Sequence, residues 1–147
     1  MRLLILILAT IITGAGVVAA QDAATPGQSQ MRGNNDAIAA LAAMAKGEKP
    51  YDQAAVDAAI ARLEECARKL PTLYPESLKD APATTRFSPS AKVWDDKAGF
   101  TAQITGFATA VADAKAKVKN IDTLNVSVGA IGKQCGDCHQ TFRVRNG

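Results

Sequence analysis

The sequence predicts an all-α protein built as an antiparallel four-helix bundle, and three observations carry that prediction. Four stretches repeat apolar residues at a period near 3.6. No stretch sustains the strict alternation of a half-buried strand. Proline and glycine punctuate the gaps, one of which is long enough to cross the end of a bundle.

The first helix runs from about Gln28 to Ala45, with Met31, Ile38, Leu41 and Ala45 on one stripe. Lys46-Gly47-Glu48-Lys49-Pro50 ends it, glycine just past the last turn and proline beyond. Asp52 is a good N-cap for the second helix, which repeats Val56, Ile60, Leu63, Ala67 and Leu70 until Pro71 closes it. Between Pro71 and Pro89 lie four of the six prolines and little periodicity, so this is a long connection. The third helix begins near Ser88-Pro89-Ser90 and aligns Val93, Phe100, Ile104, Phe107, Val111, Ala114 and Val118. Asn120 to Asp122 breaks it. The fourth runs from about Thr123 to Arg145, its stripe formed by Leu124, Val128, Ile131, Cys135, Cys138 and Phe142.

That last stripe contains Cys135-Gly136-Asp137-Cys138-His139, in a chain with three cysteines and one histidine. C-x-x-C-H is the signature of covalent c-type haem attachment. Positions i, i+3 and i+4 share one helix face, so two thiols can add to two vinyl groups with the imidazole set against the iron. Cys135 and Cys138 are then thioether anchors, and His139 is the proximal iron ligand. Two other readings fit less well. A zinc site needs four ligands, and only Cys66 remains as a further soft donor. A thioredoxin-like pair needs a βαβ setting that the pattern around residue 135 lacks.

Arg2, the apolar run Leu3 to Leu8 with Ile11-Ile12, and small residues up to Ala20 read as a cleaved secretory signal of residues 1–20, leaving residues 21–147 as one haem domain. A retained membrane anchor is the rival reading, but the run is short and broken by glycines. Arg2 leaves with the signal, so 16 basic residues face 14 acidic ones and the mature charge is +2. So small a balance argues against a nucleic-acid binder.

C-x-x-C-H followed by Gln140-Thr141-Phe142-Arg143, in the last of four helices of an exported chain, resembles the class II cytochromes c, the cytochrome c′ family. The resemblance spans essentially the whole mature chain and implies the four-helix bundle, one covalent haem c, a periplasmic location and a homodimer packed through the first two helices. High-spin members leave the distal side of the iron open, whereas a low-spin subgroup carries a methionine on the first helix. Met31-Arg32-Gly33-Asn34-Asn35 and the segment from Ala45 to Gln53 look closer to that subgroup, which makes Met31 the sixth ligand. Met44 is the rival; thirteen residues place it about 140° around the helix from Met31, off the stripe, as a packing residue.

The resemblance also places Trp94 near the haem and matches Arg143 to an arginine that offsets propionate or iron charge; Phe142, one turn beyond Cys138, is read as covering the porphyrin and Arg32 as reaching a propionate, with core packing or solvated charge as the plainer alternatives. Gly129 and Gly132 are read as points of close helix or haem approach, or as merely tolerated. Cys66 is read as a buried thiol, an intersubunit disulfide being the alternative. The expected function is one-electron transfer between redox protein partners, aided by a modest basic surface of Lys133, Arg143 and Arg145. The alternative, from the high-spin members, is binding of nitric oxide or carbon monoxide. Weak peroxidase activity is a third reading, without a distal histidine to assist it.

Overall fold

The computed structural model describes residues 24–83 and 85–147. Helices α1 (Pro26–Ala45), α2 (Gln53–Lys69), α4 (Lys97–Lys117) and α5 (Ile121–Phe142) form the bundle, and α3 (Lys92–Asp95) is a single turn before α4. Pairs α1/α2, α2/α4, α4/α5 and α5/α1 all pack together, which closes a ring of four helices. The seven-residue link from α1 to α2 is too short to run the length of a twenty-residue helix, so α2 turns back along α1.

Local chemistry sets the helix ends. Thr25 and Gln28 form a capping box, the Thr25 hydroxyl accepting from the Gln28 N–H at 3.2 Å and the Gln28 side chain from the Thr25 N–H at 2.9 Å. At the other end of α1, Gly47 takes φ 74°, and the Glu48 N–H donates to the Ala43 carbonyl at 2.9 Å. That left-handed residue satisfies carbonyls the helix would otherwise leave free. Asp52 caps α2 through the N–H groups of Ala54 and Ala55, and Asn120 caps α5.

Two features differ from the sequence reading. The third helix is broken at Asp96, whose carboxylate accepts from the Gly99 N–H at 2.9 Å and starts α4 afresh. The fourth helix stops at Phe142, and the chain extends into β2 (Arg143–Arg145), which pairs antiparallel with β1 (Phe87–Pro89) in the long connection. Strands of three residues carry too little alternation to be read from sequence.

The core has two parts. Leu41, Leu63, Val111, Leu124 and Ile131 anchor the main one between the four long helices, while Val93, Trp94 and Phe142 form a smaller one at the α3 end. Met44 is buried in the main core, 3% exposed, and so lies on a packed face although the single-stripe reading set it outside. Helix α1 has two covered lines: Ala37, Leu41 and Met44 in the core, and Met31 and Ile38 half-buried beside it. Gly129 and Gly132 are exposed, and a Cβ at either would meet nothing within 4 Å, so neither permits a close approach.

Candidate haem site

Between the two core parts lies a cavity of about 820 Å³. Helix α5 supplies Cys135, Cys138, His139 and Phe142 to its wall, and helix α1 supplies Met31, Arg32 and Ile38. Helical spacing explains both sets: 135, 138, 139 and 142 fall on one face, as do 31, 35 and 38. Cys135 packs against the main core and Cys138 against the smaller one, so the two thiols straddle the gap that a flat ring would fill. The aromatic wall is Tyr74, Phe87, Phe100, Phe107 and Phe142; Phe100 lies tilted against Phe142 at 5.2 Å and edge-on to Tyr74 at 5.7 Å between centroids.

Trp94 is not on the cavity wall. It is 6% exposed behind Phe142, and its indole N–H donates to the carbonyls of Tyr74 at 3.1 Å and Pro75 at 3.2 Å. Its position holds the 74–75 turn, and with it the Tyr74 ring, against the site. Arg143 does reach the wall, with its guanidinium 4.5 Å from the Phe87 ring centre. Sequence reasoning missed Phe87, Arg86 and Tyr74, which the long connection carries to the cavity. An aromatic-and-cation run between prolines 82 and 89 was the available signal.

Electrostatics fit attachment better than thiol redox chemistry. Burial pushes the Cys135 and Cys138 thiols above their usual range, with the charge of Cys135 adding to the rise at Cys138 and Arg143 opposing it. A thioredoxin-type nucleophile needs the opposite shift. Burial, helped by the Arg143 charge, lowers His139, which keeps the imidazole neutral and able to bind a metal. Among the described residues no cluster of three or more His, Cys, Asp or Glu side chains could hold a metal ion by itself. Cys66 is 0% exposed and accepts from the Asn34 amide at 2.8 Å, so burial keeps it from forming an intersubunit disulfide.

A helical bundle that turns both cysteines and the histidine of one C-x-x-C-H into a single apolar cavity is a c-type haem protein. A family model described as cytochrome C′ matches residues 22–143, and the chain belongs to that family. It is 44% identical over 148 residues to cytochrome c-556 of Rhodopseudomonas palustris, an alignment covering all of this chain and 99% of that one. A structure of oxidised cytochrome c556 of R. palustris superposes with a TM-score of 0.74 at 47% identity, over 82% of this chain and 95% of that one. Cytochrome c′ from the same organism superposes with 0.73 at 30% identity, over 81% and 93%.

The cofactor is therefore haem c, joined to the chain through Cys135 and Cys138. The cavity's size, its aromatic walls and its paired thiols suit that group. The iron supplies a one-electron ferric/ferrous couple, while the chain's residues anchor it, orient it and exclude water.

Proposed function

We propose that the protein is a periplasmic one-electron carrier whose haem iron is held between His139 and Met31. The observation that carries this reading is that Met31, from α1, lines the same cavity as His139, from α5, while Met44 lies in the packed core away from it. A thioether is a soft donor that favours the ferrous state, and one that stays in place in both redox states keeps reorganisation small. The apolar wall raises the potential further by disfavouring the extra positive charge of ferric iron.

Export belongs to the same proposal. Residues 1–20, read as a cleaved signal, lie outside the described residues, and among those described no helix is long and apolar enough to cross a membrane. A homodimer packed through α1 and α2 fits the small alanines, including Ala40, Ala55 and Ala58, along a shallow groove between them.

Met31→Ala tests the ligation. The substitution is expected to convert a low-spin absorption spectrum to a high-spin one, to open the iron to carbon monoxide, and to lower the reduction potential. Met44→Ala is expected to do none of these and only to destabilise, by about 2–5 kcal/mol for a buried methionine. A low-spin spectrum unchanged in Met31→Ala would make another group the sixth ligand, whereas a wild type that is already high-spin would favour a five-coordinate, gas-binding site.

A further inference from the structure

The six ion pairs among the described residues all use lysine, and one of them holds Lys133 to Asp137 at 2.5 Å. Lys133 is thus paired with a neighbouring carboxylate on the exposed face of α5. The arginines behave differently. Pairing of β1 with β2 sets Phe87 opposite Arg145 and Pro89 opposite Arg143, bringing two distant segments of chain into one ribbon. Phe87 is flanked by the guanidinium groups of Arg143 at 4.5 Å and Arg86 at 5.4 Å from its ring centre. Arg86 and Arg143 share the cavity wall with Arg32 from α1; these three and Arg145 are exposed, and none of them forms an ion pair among the described residues. The acidic residue on that wall is Asp36.

We infer that Arg86 and Arg143 against Phe87, Arg145 opposite Phe87 in the strand pair, and Arg32 on the same cavity wall form the docking surface for an acidic redox protein at the mouth of the haem cavity. This rests on the electron-carrier reading and names the face through which it operates. Three physical arguments point the same way. Cation–π contact with Phe87 positions the Arg86 and Arg143 guanidinium groups, so less side-chain entropy is lost when they meet carboxylates. Arginine binds carboxylates through paired N–H donors, whereas lysine offers a point charge. Haem propionates would neutralise two charges at most, leaving the cluster positive against one aspartate, and an excess of one sign at the mouth steers an oppositely charged partner to the haem edge.

The test uses the haem-loaded protein with Arg145→Glu, a residue outside the cavity wall, and Lys119→Glu as a control. Lys119 precedes α5, whose 22 residues put it about 30 Å from Arg145. In each oxidation one electron leaves ferrous haem, giving ferric haem, and reduces the oxidant by one unit. Hexacyanoferrate(III) is the anionic oxidant and tris(phenanthroline)cobalt(III) the cationic one. At an ionic strength of about 0.1 M, where screening acts over about 10 Å, Arg145→Glu is expected to slow the anionic reaction roughly two- to fivefold and to speed the cationic one. Lys119→Glu should change neither appreciably. Titration of labelled wild type with hexa-aspartate should shift the amides of Phe87 and Val144, and Arg145→Glu should abolish those shifts. Equal rate changes in both variants, or hexa-aspartate shifts confined to other surfaces, would overturn the docking face. A wild type that exchanges electrons with neither oxidant would instead remove the electron-carrier reading, while the peptide shifts still decide whether the arginine face recognises carboxylates.

Discussion

Met31 and Met44 sit on the same helix with opposite fates, one on the cavity wall and one 3% exposed in the core. Their angular separation was legible in the sequence, and so was the packing role of Met44. Its burial was not, because helix α1 is covered on two sides, by α2 and by α5, and a single-stripe reading recognises only one. Tyr74 went unnoticed for a related reason: an aromatic in a proline-rich connection has no helical period to mark it. Burial pushes its hydroxyl up from 10.0 to about 12. The folded state therefore binds the phenolic proton more tightly than the unfolded chain does. This contribution to stability is complete below pH 10.0 and is lost as pH rises toward about 12. Denaturant unfolding followed across that range should show the decline, and Tyr74→Phe should make it shallower. An identical slope in wild type and variant would show that Tyr74 does not ionise on unfolding.

At the scale of elements, the four long helices and most of their apolar faces were legible because amphipathic periodicity is strong over twenty residues. The break at Asp96 and the β1/β2 pair were not, since each depends on a few hydrogen bonds between short segments. Those bonds are specific. Asn146 donates from its side-chain amide to the Thr85 carbonyl at 2.6 Å and to the Ser88 hydroxyl at 2.8 Å, and the Ser90 hydroxyl donates to the Thr141 carbonyl at 2.7 Å. The Gln28 amide ties the same connection to α1 through the Thr85 hydroxyl at 3.0 Å. Asn146→Ala is therefore expected to cost about 1–2 kcal/mol and to speed hydrogen exchange at Phe87, Ser88 and Ser90 while leaving α2 and α4 protected. Uniform loss of protection would mean that the clasp is part of the global folding unit. Asp52→Ala, which removes two bonds from the start of α2, should cost about 1 kcal/mol in a thermal or denaturant melt.

For the whole molecule, the two core parts share Tyr74 and Phe100 and flank the cavity, and the cofactor is the group that completes the interior. Replacing both anchors, Cys135→Ala with Cys138→Ala, should leave a chain that melts without a sharp transition, because about 820 Å³ lined largely by apolar groups would lose its contents. A calorimetric melt as cooperative as that of the haem-loaded protein would count against this. The site itself was legible at its fixed points, Cys135, Cys138 and His139, because their spacing encodes one helix face. Its rim was not, because Arg86 and Phe87 reach the site through the strand pairing and the Gln28 tether, neither of which has a sequence period. The electron-carrier reading requires a six-coordinate iron between His139 and Met31. The absorption spectrum of the purified haem-loaded protein, ferric and ferrous, with and without carbon monoxide, tests it most directly. Low-spin spectra in both states, unaltered by the gas, are the expected result; a high-spin ferric spectrum and a ferrous form that takes up carbon monoxide at once would contradict it.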